Sequence, residues 1–173
     1  MQVSLGLSLT PITHADYCDA VVKVQQAGEK PLNPVHLHEV LCAGDVHAGE
    51  FRKGSVHKLV GTKMVERPLP RHTSIQKLMY SFKRAYRAAL RGDIPSEIVN
   101  IEAFAWQVAA AGRCLHPFQC GNRQLFLLLE NHIRQVHGLP WRADVLDKDK
   151  FHAFRSSYIF HNREHYGEIA GAP

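Results

Sequence analysis

Residues 125–129 read Leu-Phe-Leu-Leu-Leu, and the apolar pattern continues to Ile133 and Val136. At 3.6 residues per turn, Leu125, Leu128, Leu129, His132 and Val136 fall on one helix face, while Phe126, Leu127 and Ile133 cover other faces. A helix that is apolar nearly all round belongs in the middle of a bundle, with neighbours on every side. Gly138 and Pro140 stop it. The remaining chain must supply those neighbours.

It has the patterns to do so. Thr13, with Asp16 three residues on, caps a first helix whose face carries Tyr17, Ala20, Val21 and Val24. Gly28 and Pro31 end it. A short second helix follows Pro34, with Leu37, Val40 and Leu41 as its apolar face. From Thr73, a stripe of Ile75, Leu78, Met79, Phe82, Tyr86 and Ala89 runs for about four turns. Gly92 and Pro95 break it. A fourth helix is predicted from about Ser96 to Arg113, with Ile101, Phe104, Ala105 and Val108 inward. Asp147 caps a last helix carrying Phe151, Phe154 and Tyr158. Only residues 48–70 depart from this period. There Gly49, Gly54 and Gly61 punctuate short apolar groups, and Pro68 and Pro70 forbid a helix. This region reads as a β-hairpin or extended loop. The expected fold is all-α, with about six helices, one small hairpin and a single domain over residues 1–173.

Composition narrows the function classes. With 173 residues, 45% of them hydrophobic and 21% charged, the chain has a core of its own and is not a disordered tail. The net charge is +5, and its one local cluster (Lys83, Arg84, Arg87 and Arg91) reads as a solvated helix face. Nucleic acid is therefore not an expected partner. No apolar run reaches the ~20 residues that cross a bilayer. Residues 1–9 are mildly apolar but have no Lys or Arg in front, unlike a signal peptide. Four cysteines without framework spacing point to a reduced, cytoplasmic setting.

The chemistry-bearing stretch lies just before the central helix: His116-Pro117-Phe118-Gln119-Cys120-Gly121-Asn122-Arg123-Gln124. It places an imidazole beside a helix N-terminus, where free backbone N–H groups and the positive dipole end attract phosphate. A base next to a phosphate cradle is the minimum equipment for moving a phosphate-linked group onto a hydroxyl. Read alone, His116 is equally a loop histidine bonded to backbone, Asn122 a helix cap and Arg123 a solvated first-turn residue. Cys120 reads as a small buried hydrophobe. The alternative for Cys120 is a reactive thiolate, favoured by the helix N-terminus and Arg123.

These residues resemble the Fic (filamentation-induced-by-cAMP) family, marked by His-x-Phe-x-(Asp/Glu)-Gly-Asn-Gly-Arg-x-x-Arg. His116, Pro117, Phe118, Gly121 and Asn122 match. Upstream, Leu37-His38-Glu39 and Ala48-Gly49-Glu50-Phe51-Arg52 resemble the segments before the family's flap, and residues 61–70 resemble the rest of it. Leu139-Pro140-Trp141 resembles the stretch after the central helix. The likeness spans residues 33–162. It implies a Fic-like helical bundle with a small β-hairpin flap. It also implies transfer of AMP from ATP, or of a related group from another nucleotide or phosphate-containing donor, to a hydroxyl of a target protein. In that scheme His116 takes the proton and Phe118 pins the loop. Gly121, Asn122, Arg123 and Gln124 meet the phosphates, and the flap (residues 55–68) holds the target as an added strand. The setting would be the cytoplasm or, for a secreted effector, a host cytosol.

Three departures stand out. Cys120 replaces the acid that holds the family's Mg²⁺, and a thiol is a poor ligand for a hard cation that prefers oxygen. The turn reads Gly121-Asn122-Arg123-Gln124, either with Arg123 in place of a glycine or with one residue deleted. The final arginine gives way to Phe126 or Leu127, neither of which can clamp a phosphate. Such losses cost roughly several kcal/mol at a phosphoryl centre, so a different donor, a metal-independent route and a binding module without activity are all compatible with the sequence. The family's autoinhibitory motif has no clear copy. A zinc site at His36-x-His38 or Cys114-x-His116-x-x-x-Cys120 matches no usual structural pattern, and no metal ligand is assigned.

Overall fold

The computed structural model describes residues 11–60, 62–143 and 147–166. Residues 1–9, read above for a leader, and Gly61 of the predicted hairpin lie outside them. Six helices carry the fold: α1 (His14–Gln26), α2 (Pro34–Leu41), α3 (Ile75–Arg91), α4 (Ile101–Leu115), α5 (Asn122–Val136) and α6 (Lys148–His161). Short strands β1 (His57–Val60) and β2 (Lys63–Glu66) pair antiparallel, His57 opposite Glu66 and Val60 opposite Lys63.

Local chemistry sets the helix starts. Thr13 and Asp16 form the reciprocal capping box of α1. Asn33 caps α2, with Pro34 in its first turn, and Asp147 caps α6. The fourth helix begins later than the Ser96 start its pattern suggested. Ile98 N–H bonds back to Pro95 O in a turn, and Asn100 supplies the cap by accepting from Ala103 N–H at 2.8 Å. Gly92, left-handed at φ 76°, closes α3.

The apolar α5 is central. It packs on α1, α2, α3 and α4, and Leu125, Phe126, Leu128, Leu129 and Ile133 are fully buried. The close approach of α4 and α5 depends on Gly112, because a methyl there would overlap the Phe126 ring. Phe82 meets the same ring edge-on at 5.1 Å. Several polar residues of α5 are buried too, and they have partners. His132 contacts the Tyr86 hydroxyl and lies 2.7 Å from Gly28 O, Asn131 brackets the Arg142 backbone, and Arg134 pairs with Glu102 at 2.8 Å. α6 lies outside this core, against α4. Trp106 meets Phe154 edge-on at 5.5 Å, with the Lys150 ammonium 4.2 Å from the Trp106 ring. Among the described residues, no helix is long and apolar enough to cross a membrane.

Candidate active site at the α4–α5 loop

Residues 116–121 join the end of α4 to the start of α5, and three devices fix their path. His116 caps α4 in the left-handed region (φ 49°), alone among the described non-glycine residues. Such a conformation costs on the order of 1 kcal/mol and persists only when its surroundings hold it. Here the clamp is Arg52. Its Nε donates to His116 O at 2.8 Å, its backbone N–H to Pro117 O at 2.9 Å, and its terminal nitrogens to Gly54 O and Pro70 O. Arg52 is only 4% exposed, and its guanidinium is spent on carbonyls.

Phe118 is the second device. It is fully buried, stacked on the His38 ring at 3.9 Å and tilted against Phe51. His38 is itself wired at both nitrogens. Its Nδ1 accepts from Gly49 N–H at 2.9 Å, so the proton sits on Nε2 and points to Cys120 O at 3.2 Å. Asn122 is the third. Its Oδ1 accepts from Phe118 N–H at 3.1 Å, and its Nδ2 donates to Phe118 O and Cys120 O. The Asn122 side chain thus closes the loop rather than capping α5, whose N-cap, Gly121, makes no side-chain cap bond. Gly121 is left-handed at φ 68°, and an added Cβ would lie 2.7 Å from Cys42 Sγ, so only glycine fits. Of the remaining predicted residues, Arg123 is exposed on the first turn of α5 and Gln124 is half-buried beside it.

The electrostatics of this loop are one-sided. Burial first, and then the guanidinium groups of Arg67, Arg52 and Arg155, push the His116 imidazole down to about 3. Every charge acting on it is an arginine. Arg67 is itself held down by burial and by Arg155. Arg155 donates to Pro68 O at 3.1 Å, which brings α6 to the segment after β2. Among the described residues, no hydrogen bond engages the His116 ring. Arg52 and Arg67 also line a cleft of about 310 Å³, with Ser55, Leu69, Arg71 and His72. The site is a half-buried neutral base facing a surplus of cations, an arrangement that favours an anion.

Sequence reasoning missed these cations. Arg52 lay in a quoted segment without a role, and Arg67 and Arg155 carried no motif. The structure gathers them from the two ends of the hairpin region and from α6.

The one group of convergent ligand atoms among the described residues is His38, Cys42 and Cys120, within 4.8 Å of one another. It is not the histidine and cysteine set weighed from sequence spacing. Two sulfurs and an imidazole do not suit Mg²⁺, and Asp45, 3.7 Å from Cys120 Sγ, is one oxygen donor where that ion needs several.

No protein-family model matches this chain, and no curated protein matches it. Among solved structures, a Fic domain containing signaling protein from Bacteroides thetaiotaomicron VPI-5482 superposes with a TM-score of 0.61 at 17% identity, over 83% of this chain. The fold is therefore Fic-like: an all-α bundle around a central apolar helix. The chain spans about half (54%) of that protein's length.

Proposed function

We propose that this chain is a Fic-like transferase, a protein adenylyltransferase or a relative using another phosphate-containing donor. The observation that supports it most is His116, a neutral, half-buried base at the mouth of α5 whose charged neighbours are all cationic. The target hydroxyl oxygen attacks the donor phosphorus. The bond to the leaving pyrophosphate or its equivalent breaks, and the hydroxyl proton passes to His116. In the free protein His116 is a weak base. A phosphate anion beside Arg67 and Arg155 offsets their repulsion and raises its proton affinity when it is needed. Those arginines stand in for the missing motif arginine. The N–H groups at the start of α5, with Gly121, Arg123 and Gln124, complete the cradle. Because the donor set does not fit Mg²⁺, no step is assigned to that ion. The target protein docks as a strand on the β1–β2 pair, where backbone bonds position a segment without reading much sequence.

Isothermal titration with ATP and other nucleotides, with and without Mg²⁺, tests donor binding. Heat that disappears in Arg67→Gln is the expected result, and silence from every nucleotide overturns the reading. Label transfer to a partner protein is the second test, with loss expected in His116→Ala.

A second reading is a catalytically impaired binding or regulatory module. The spent amide of Asn122 and the replaced acid and arginine favour it. Restoring the arginine at Phe126 would place an unpaired guanidinium in the core. Cys120→Asp is therefore the informative variant: transfer that rises in it marks an enzyme with a weakened site, and transfer absent in both forms marks the module.

A further inference from the structure

Cys42 ends α2, and Cys120 lies in the loop before α5. Seventy-eight residues apart in sequence, their sulfurs stand 3.9 Å apart. Cys42 is buried at the spot where a Gly121 side chain would otherwise sit, and Cys120 is partly exposed above it. Cys120 is the partly exposed member of the pair, and Cys42 is the buried one. The surroundings are asymmetric in the same sense. The contact with the Cys42 sulfur, then one involving His38, hold the Cys120 thiol below its usual range, against burial and the Asp45 carboxylate 3.7 Å away. Cys42 is pushed well above the usual thiol range by its bond to Cys120, by burial and by the charges of Cys120, Asp45 and Asp16. Cys114 shows the contrast: it is also buried, but desolvation raises it to about 12.

The same three residues invite a metal, and the wiring of His38 argues against one. Its Nδ1 already accepts from Gly49 N–H, so Nε2 carries the proton and has no lone pair to offer. Loading a metal there would set two N–H groups against each other.

We propose that Cys42 and Cys120 are a redox-active thiol pair that closes reversibly to a disulfide when a hydroperoxide is the oxidant. The Cys120 thiolate sulfur attacks a peroxide oxygen. An S–O bond forms, the O–O bond breaks, and the departing oxygen takes a proton to leave as water or an alcohol. Cys42 sulfur then attacks Cys120 sulfur. The S–S bond forms, the S–O bond breaks, and the Cys42 proton leaves with the hydroxide as water. Two electrons pass from the thiols to the peroxide, and a dithiol reductant returns them. This pairing does not depend on nucleotide transfer.

Its test uses the full reduced chain, treated with limiting hydrogen peroxide, blocked with an alkylating agent and mapped by mass spectrometry. The expected product is a Cys42–Cys120 cross-linked peptide that a dithiol removes, while Cys114 stays reduced. In Cys42→Ser, dimedone should trap a sulfenic acid on Cys120. In Cys120→Ser, the rate of peroxide consumption should fall at least ~10-fold, since the reactive thiolate is gone. The proposal is overturned if Cys120 oxidises no faster than the exposed Cys18 and no cross-link forms. It is equally overturned if elemental analysis finds stoichiometric zinc that protects both thiols, which would make the cluster a metal site.

Discussion

His132, fully buried in the bundle core, and His116, half-buried at the mouth of α5, differ in almost everything but residue type. His132, on α5, has both ring nitrogens engaged, by Tyr86 Oη and Gly28 O, and burial moves its proton affinity down. His116, at the mouth of α5, has a ring without a hydrogen-bond partner among the described residues and three arginines acting on it. One imidazole is consumed in joining α5 to α3 and to the turn after α1. The other is held in place through its backbone, and its ring is left for something else. A buried polar ring with every valence spent is architecture. A ring kept neutral, unbonded and surrounded by cations is equipment.

The largest effect expected from breaking this contrast is on stability. Phe118→Ala should cost about 3–5 kcal/mol, because it empties the space beneath the loop and removes the His38 stack; urea unfolding measures it. His132→Ala should cost about 2–3 kcal/mol, since the buried Tyr86 hydroxyl, which also accepts from Leu32 N–H, loses the acceptor for its proton. Gly121→Ala comes next, at about 1–2 kcal/mol from left-handed strain and the contact with Cys42. His116→Ala should change stability least, by under about 1 kcal/mol, although it removes the proposed base. If His116→Ala proves as damaging as His132→Ala, the two histidines are both architecture.

A pH titration sharpens the same comparison. The folded His116 ring is pushed below its ordinary value, so as pH falls from about 6.5 the unfolded chain takes up a proton that the folded chain refuses. The contribution to stability is fully present above that value and declines as pH falls toward about 3. The ring's NMR signals should stay those of the neutral form from pH 8 to 5. Arg67→Gln should move its titration upward, and no movement would mean that the arginines do not set the charge state of the ring.

Much of the fold was legible locally. The capping box at Thr13, the proline start of α2, the stripe of α3 and the all-round apolar α5 are patterns within a few turns of chain. The start of α4 was misplaced because Ser96 after Pro95 looks like a helix entry, whereas Asn100 outcompetes it by bonding Ala103 N–H. At the site, His116 and Phe118 were legible as one contiguous motif. The asparagine reads from sequence as a cap or a phosphate contact; the N-cap position falls to Gly121, and the amide closes the Phe118 turn.

The sequence by itself determined which segment must lie at the centre, and that a histidine and a glycine turn would precede it. Both follow from spacing along one chain, where periodicity and turn chemistry act over a few residues. Only the tertiary structure decided the environment of that histidine and the partner of Cys120. Arg155 lies far in sequence from Arg52 and Arg67, and Cys120 far from Cys42. Their charges and sulfurs act through distances that packing alone creates.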